Sequence, residues 1–304
     1  MSTSVQATTG RLPRRRLRGS RWIDWMALPA IVVLAVVVGY PMVRAVILSF
    51  FDYNLIGGAQ ESVGLDNYSR LAHDALFWQA LRNTAVYTGA SVIGGGLIGL
   101  ALALATENLR GPWRALRAVM LTPWAVPIIV VAFLFRFMFD DQGGIINALL
   151  VRSNIVHDAV PWLTSSQWAM FSVTVANIWS QAPFFLLLFT AALAAVPNEV
   201  VEAARIDHAR TWSMIVHIKL PYLRGAALVG GLIMIIQNFN NFPLIWSMTE
   251  GGPGYATTTL LIYVYRLAFT KFHLGYASAV GVIWLLVLVV LAGFFVRAMR
   301  KEQP

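Results

Sequence analysis

Six long apolar stretches constrain most strongly what this chain can fold into. An α-helix rises about 1.5 Å per residue, so about 20 mostly apolar residues cross a hydrocarbon core of about 30 Å. None of the stretches alternates apolar and polar residues as a barrel strand does, and backbone groups cannot stay unpaired in lipid. The sequence therefore predicts an all-α membrane protein with six transmembrane helices. They are expected near Met26–Phe50, Asn83–Thr106, Leu116–Phe139, Trp168–Val196, Tyr222–Met248 and Gly275–Arg297.

The basic residues are distributed unequally between the segments that flank these stretches. Sixteen of the 23 Lys and Arg residues fall on one side of the predicted membrane, and cytoplasmic segments hold such an excess. Both termini are therefore expected in the cytoplasm, with a basic tail (1–25), a six-helix domain (26–298) and a C-terminal tail (299–304). The sixteen are Arg11, Arg14, Arg15, Arg16, Arg18, Arg21, Arg110, Arg114, Arg117, Arg205, Arg210, Lys219, Arg224, Arg297, Arg300 and Lys301. Because they lie between apolar blocks, the net charge of +9 does not indicate a nucleic-acid partner.

The sequence lacks the groups that an enzyme or a self-energised pump needs. No stretch matches the Walker A motif G-x-x-x-x-G-K-[ST], and no His, Asp or Glu set has metal-ligand spacing within a helix. The six stretches hold almost no ionisable residue away from their ends, whereas ion-coupled carriers usually bury such groups. We therefore expect no catalytic residue, metal or cofactor in this chain, and an external energy source for any transport.

A short polar segment between the fourth and fifth stretches, at about 197–221, is predicted to form two short helices. Val200, Val201 and Ala204 give the first helix an apolar side, and Glu202 and Arg205 give it polar neighbours. The segment is too short and too charged to cross a membrane, and its alanines permit close approach to another protein. We interpret it as a docking element on the cytoplasmic side.

This segment resembles the signature of the integral-membrane permease subunits of binding-protein-dependent ABC importers. The signature reads E-A-A, three residues, G, nine residues, I, one residue, L-P, and Glu202-Ala203-Ala204, Ile218 and Leu220-Pro221 stand at these positions. His208 replaces the glycine, which in that family lies at the turn between the two helices of a coupling loop. Glycine suits a turn because positive φ costs it little, and His is among the residues more tolerant of that region. The substitution leaves open the detailed geometry of the turn.

Further segments resemble the carbohydrate-importer branch of this family, which includes maltose-type permeases. They are Gly64-Leu65-Asp66-Asn67-Tyr68, Pro183-Phe184 and Thr249-Glu250-Gly251-Gly252-Pro253. The resemblance implies a non-catalytic subunit in a prokaryotic cytoplasmic (inner) membrane, which forms a sugar pathway together with a second, related permease. It also implies two cytoplasmic ATPase subunits that hold ATP and Mg, and an extracytoplasmic solute-binding protein. The residues expected to contact the ATPase are Glu202, Ala203, Ala204, Asp207 and His208.

Two groups of polar residues within the apolar stretches are candidates to line the pathway. Polar residues in a membrane are costly and tend to face the interior of a bundle. The candidates are Asn177 and Gln181 in the fourth stretch and Gln237, Asn238, Asn240 and Asn241 in the fifth. Their helical spacing places Gln237 with Asn240 or Asn241 on one face, and the rings of Phe239, Phe242 and Trp246 lie between them. Amides beside aromatic rings suit a neutral, polyhydroxylated solute, although the same amides would also serve as contacts between helices.

Other functions remain as alternatives. An ABC permease for glycerol-phosphate or a glycerophosphodiester is the second reading, and an anionic solute of this kind favours basic residues near mid-membrane, where no Lys or Arg lies. A self-contained channel or secondary carrier predicts transport by the chain alone without ATP. A membrane enzyme or scaffold predicts no flux of solute.

Overall fold

The structure is a computed structural model that describes residues 21–58, 60–107, 109, 111 and 115–302, without the side chains of 21–27, 301 and 302. Most of the predicted basic tail, together with Arg110 and Arg114, lies outside the described residues. The helices and strands are α1 (Arg21–Leu34), α2 (Tyr40–Leu48), β1 (Phe51–Tyr53), β2 (Gln60–Ser62), α3 (Asp66–Ala72), α4 (Ala75–Thr106), α5 (Ala115–Ala125), α6 (Ile128–Met138), α7 (Ile145–Arg152), α8 (Ala169–Leu193), α9 (Asn198–Ile206), α10 (Thr211–Met214), α11 (Leu220–Phe239), α12 (Phe242–Thr249), α13 (Leu260–Tyr265) and α14 (Leu274–Glu302). Strands β1 and β2 form an antiparallel pair in which Asp52 is opposite Glu61.

The predicted class, an all-α membrane protein, is confirmed. Five helical segments are long and apolar enough to cross a membrane, and a bent pair of helices makes a sixth if it counts as one crossing. The five are Leu28–Leu48, Ala75–Thr106, Ala169–Leu193, Thr211–Phe239 and Leu274–Arg300. We number the six crossings in chain order as spans 1 to 6, so that the bent pair is span 3.

The helix predicted over Leu116–Phe139 is divided into two helices, so the prediction of a single helix for span 3 is wrong. Helices α5 and α6 meet at an angle of 93°. The break falls at Val126 and Pro127, because a proline disfavours helical geometry in the residue before it and has no N–H of its own. Pro127 is extended (ψ 135°) and immediately precedes α6. Each half has 11 residues, about 16 Å of helix, which is roughly half of a hydrocarbon core.

Both ends of span 5 differ from the predicted Tyr222–Met248. The helix starts 11 residues earlier, at Thr211, and ends at Phe239. Asn240 and Asn241 interrupt the chain before α12 begins at Phe242, with Pro243 in its first turn. A Pro in a first helical turn needs no hydrogen-bond donor, so Pro243 favours a new start over continuation of the preceding helix. A break next to Pro127 therefore divides span 3, and a break before Pro243 ends span 5.

Two other prolines are accommodated without a break. A π-helical turn at Ala35–Gly39 precedes Pro41, and a second at Ile215–Lys219 precedes Pro221. The wider turn relieves the collision between a proline ring and the carbonyl four residues before it. Spans 1 and 5 consequently run as continuous rods.

Span 2 packs closely against span 4 through glycines. A Cβ atom at Gly99 would lie 2.8 Å from the backbone N of Leu186 and 2.9 Å from the backbone O of Ala182. A Cβ atom at Gly95 would lie 3.0 Å from Cγ of Gln181. Small residues of this kind let two helix backbones approach in lipid, where helix association depends on van der Waals contact.

A single carboxylate joins three elements at the N-terminal ends of spans 2 and 6. Asp74 caps α4 by accepting hydrogen bonds from the backbone N–H of Leu76 (2.9 Å) and Phe77 (3.4 Å). Its Oδ2 atom accepts hydrogen bonds from the hydroxyls of Tyr263 and of Tyr276, the latter at 2.6 Å. Burial alone would raise the pKa of Asp74, but the hydrogen bonds from Tyr263, Tyr276 and the two N–H groups outweigh burial and lower it. The cap also explains why span 2 begins at Ala75 and not at the predicted Asn83.

We expect Asp74→Ala to lower the free energy of unfolding by about 2–4 kcal/mol at neutral pH, because a helix cap and two charged hydrogen bonds are lost. The lowered pKa means that this stabilisation is present above the ordinary pKa of an unfolded Asp and is lost as the pH falls through the folded-state pKa. The difference between wild type and variant should therefore shrink in acid. Thermal unfolding in detergent across a pH series measures it.

Asp66→Ala is the matched control, because Asp66 is an exposed acid at the start of α3 that makes no hydrogen bond through its side chain among the described residues. An equal loss of stability in the two variants, or a difference that grows in acid, would contradict the role of Asp74.

Candidate functional site

A cavity of about 450 Å³ lies where the break within span 3 and the break after span 5 meet span 4. Irregular backbone at membrane depth is tolerated where it borders a cavity or is buried in protein. All six predicted pathway residues line this cavity. The lining residues are Trp124, Val126, Ile128, Asn177, Ser180, Gln181, Met234, Gln237, Asn238, Asn240, Asn241 and Pro243.

Half of the predicted amides are buried and bonded to one another. Asn177 donates to Oδ1 of Asn238 (2.8 Å) and to Oγ of Ser91 (2.8 Å). Asn238 donates to Oε1 of Gln181 at 3.4 Å. Asn177, Gln181 and Asn238 are each no more than 6% exposed. These three side chains therefore connect spans 2, 4 and 5, which corresponds to the expected contacts between helices.

Asn241 belongs to the same network. Its Nδ2 donates to the hydroxyl of Tyr87 (2.8 Å) and to Oδ1 of Asn177 (3.0 Å). The prediction that Asn241 and Asn240 continue the helical faces of Gln237 and Asn238 is wrong, because the helix ends at Phe239. The break turns Asn241 back toward span 2.

Gln237 and Asn240 are the exposed amides of the lining. Asn240 donates to the backbone O of Ile236 at 2.7 Å, a bond within its own segment, and Gln237 makes no side-chain hydrogen bond to a described residue. Both amides retain donor and acceptor capacity for a molecule in the cavity. They do not hold helices together.

The aromatic residues are arranged differently from the prediction. Phe242 stacks on Trp246, with ring centroids 5.2 Å apart, and both pack against Tyr265, while Phe239 is buried. None of these rings lines the cavity, whose only aromatic lining residue among those described is Trp124. The wall therefore combines amides, one hydroxyl, one indole and aliphatic side chains.

The sequence reading missed the contribution of span 2. Tyr87 and Ser91 support the amide network, and Thr84, Tyr87, Thr88, Ser91 and Gly95 are all buried on one side of α4. Polar or small residues at spacings of three and four in an apolar helix indicate a face toward the protein. This spacing of polar and small residues was a signal in the sequence that one face of span 2 is buried in the protein.

The segment between spans 4 and 5, expected on the cytoplasmic side, folds partly as predicted. Its first helix is α9, and Glu202, Ala203, Asp207 and His208 on this helix and its turn are exposed. Ala204 is only 9% exposed, so it packs against its own chain and offers no surface to a partner. Exposed apolar side chains adjoin the acidic ones, with Ile206 77% and Trp212 75% exposed. We call α9, the turn after it and α10 the coupling hairpin.

The turn of the coupling hairpin contains a residue in the left-handed region, and this residue is a histidine where the family signature has glycine. His208 has φ +55°. Its N–H donates to the carbonyl of Arg205 (3.1 Å), and the N–H of Ala209 donates to the carbonyl of Ala204 (2.9 Å). This pair of bonds is the Schellman arrangement that ends many helices, with His208 at the position usually taken by glycine. The geometry of the turn is therefore retained, because His tolerates this region.

The second arm of the coupling hairpin is not a separate short helix, as the sequence suggested. It is the start of span 5, which runs for 29 residues from Thr211 to Phe239 through the π-helical turn. This rod is about 43 Å long. One of its ends carries the exposed surface of the hairpin, and the other carries Gln237 and Asn238 of the cavity.

Comparisons with known proteins agree with this architecture. Residues 95–302 match the model of the family described as binding-protein-dependent transport system inner membrane component. The chain is 30% identical over 99% of both chains to the sulfoquinovosyl glycerol transport system permease protein SmoG of Agrobacterium fabrum. It is 33% identical over 82% of this chain and 83% of the relative to the trehalose/maltose transport system permease protein MalF of Thermococcus litoralis.

The fold is similar to that of a solved transporter chain. A crystal structure of a bacterial ABC transporter involved in the import of the acidic polysaccharide alginate matches with a TM-score of 0.80 and 24% identity, covering 93% of this chain and 96% of that chain.

Proposed function

The chain belongs to the family of binding-protein-dependent transport system inner membrane components, and from this premise we propose that it forms half of a sugar pathway in an ATP-driven importer. It is the permease subunit and carries no catalytic site. A second, related permease forms the other half of the pathway. An extracytoplasmic solute-binding protein delivers the sugar, and two cytoplasmic ATPase subunits, which hold ATP and Mg, supply the free energy.

The observation that carries this proposal is the chemistry of the cavity. Its lining contains six amide side chains and one serine, and no ionisable residue. Amides donate and accept hydrogen bonds, and an indole covers the apolar face of a ring, which together fit a neutral, hydroxyl-rich solute. A glycerol-phosphate or glycerophosphodiester would bring a charge that no lining residue balances. The names of two relatives, a sulfoquinovosyl glycerol permease and a trehalose/maltose permease, support a carbohydrate as the solute.

The coupling hairpin is the contact with the ATPase in this proposal. Glu202, Ala203, Asp207 and His208 form its exposed polar surface, and Ile206 and Trp212 add apolar area that a partner would cover. Because α10 is the start of span 5, the surface of the hairpin and the cavity lie at the two ends of one helical segment, which connects a movement of the hairpin to the pathway. Closure of the ATPase pair then shifts the pathway between inward-facing and outward-facing states, with both termini in the cytoplasm.

Reconstitution tests the proposal as a whole. Proteoliposomes that contain this chain, the second permease and the ATPase should accumulate sugar only when loaded binding protein is outside and ATP is inside. Omission of any one component should abolish uptake. Flux through the chain alone without ATP would overturn the proposal, as would a complex that assembles and hydrolyses ATP but moves no sugar.

Gln237→Ala combined with Asn240→Ala should slow sugar uptake about tenfold, because two hydrogen bonds of about 0.5–1.5 kcal/mol each are lost from the pathway. Thermal stability should stay within about 0.5 kcal/mol, since neither side chain links two helices. Initial uptake rates at saturating ATP, together with melting curves, measure both quantities.

Asn177→Ala is the matched control, because it removes an amide that lines the same cavity but belongs to the buried network. It should lower thermal stability by about 1–3 kcal/mol as its former partners lose their bonds. Unchanged uptake in the double variant would exclude Gln237 and Asn240 from the pathway.

A further inference from the structure

One ion pair joins the end of span 2 to the rod of span 5, just inside the coupling hairpin. Nζ of Lys219 contacts Oε2 of Glu107, and this is the only salt bridge among the residues that the structure describes. The Lys219 side chain is 13% exposed and that of Glu107 is 27% exposed. Partial burial reduces screening by solvent, so this pair is stronger than a typical surface pair.

A second basic residue, Arg117, binds the same end of span 2. Arg117, in α5, donates to the backbone O of Thr106 and, at 3.3 Å, to the backbone O of Glu107. These carbonyls end α4, where the helix dipole favours positive charge. Arg117 therefore holds Glu107 from the side of span 3 while Lys219 holds it from the side of span 5.

The ion pair between Glu107 and Lys219 lies at a point where span 5 can bend. Lys219 is the last residue of the π-helical turn Ile215–Lys219, which divides the hairpin arm α10 from α11. A π-helical turn has weaker local geometry than the α-helix around it and commonly marks a functional bend. Movement of the hairpin would bend the rod at this turn, and the cavity end would stay still unless the turn is anchored.

We propose that Glu107 and Lys219, supported by Arg117, anchor the π-helical turn of span 5 to span 2 and thereby make hairpin movement reach the cavity. They are positioning residues, since they touch neither the solute nor the nucleotide. This inference rests on the proposed function, because it assigns a role only if the hairpin is driven by an ATPase.

The test uses the reconstituted complex and measures sugar moved per ATP hydrolysed. Glu107→Gln and Lys219→Met should each lower this ratio about fivefold or more, the size of an ordinary coupling free energy. ATP hydrolysis stimulated by loaded binding protein should remain, because the surface of the hairpin is intact. The charge exchange Glu107→Lys with Lys219→Glu should bring the ratio back to within about twofold of wild type.

Glu61→Gln and Lys271→Met are the controls. They remove an exposed acid and an exposed base that are distant in sequence from Glu107 and Lys219, and they should leave the ratio of sugar moved to ATP hydrolysed unchanged. A wild-type complex without ATP-dependent uptake would overturn the proposed function itself. Normal coupling in wild type and in both single variants would overturn only the anchor. If the single variants fail to assemble, the charge exchange decides: recovery of assembly and of the ratio supports the anchor, and recovery of neither, or of assembly alone, overturns it.

Discussion

Glu202→Arg should abolish ATP-driven uptake while the chain still folds and inserts. Glu202 is exposed on the side of α9 opposite Ala204, so the substitution disturbs no internal packing. In the ATPase interface proposed for this surface, reversal of a charge brings like charges together or leaves a partner unpaired, at a cost of several kcal/mol. At 1.4 kcal/mol per factor of ten, about 3 kcal/mol lowers the affinity for the ATPase more than a hundredfold.

Co-purification of the ATPase with the tagged chain measures this loss, and uptake in proteoliposomes measures its consequence. Glu61→Arg is the matched control, with the same substitution on the opposite side of the predicted membrane, and it should retain the ATPase. Wild-type levels of ATPase and of stimulated hydrolysis in Glu202→Arg would remove Glu202 from the contact.

Gly99→Ala should have the second large effect, a loss of stability of the whole bundle. The added Cβ would overlap the backbone of Ala182 and Leu186 and the Cβ of Phe185. Backbone atoms cannot rotate away as the end of a side chain does, so spans 2 and 4 must separate. Overpacking of a well-packed site costs about 1–3 kcal/mol, and the upper part of that range is expected where the obstacle is backbone.

Gly96→Ala is the control in the same helix, three residues away. A Cβ atom at Gly96 meets only Cε1 of Phe185, at 4.0 Å. It should therefore leave stability unchanged or raise it by up to about 1 kcal/mol, the difference in helix propensity between Gly and Ala. Melting temperatures in detergent should separate the two variants, and equal temperatures would contradict the close approach at Gly99.

The limits of the sequence reading are clearest in the two amide groups. Their polarity within apolar stretches identified Asn177, Gln181, Gln237, Asn238, Asn240 and Asn241 as a set, and the structure places all six around one cavity. Polarity could not separate the buried network from the exposed pair, because Asn177 and Asn238 meet across 61 residues of sequence. The break at Asn240 also depends on what packs around it. Pro243 gave a local signal for that break, and Pro127 gave one for span 3.

What the sequence determined by itself was the all-α membrane class of the protein and the approximate positions of its apolar helices. These follow from local causes: in lipid each backbone group needs a partner within its own helix, and an unbroken run of apolar residues is sufficient to specify that. The turn at His208 is local as well, since both of its hydrogen bonds lie within six residues.

Only the tertiary structure decided which side chains meet. Asp74 with Tyr276 and Glu107 with Lys219 join residues 202 and 112 positions apart. Such contacts depend on how whole helices pack, and helix packing in a membrane is set by close steric fit between small residues such as Gly99 and the backbone opposite them. A single sequence specifies the shape of each helix locally, whereas the choice of its neighbours emerges from the fit of all of them together.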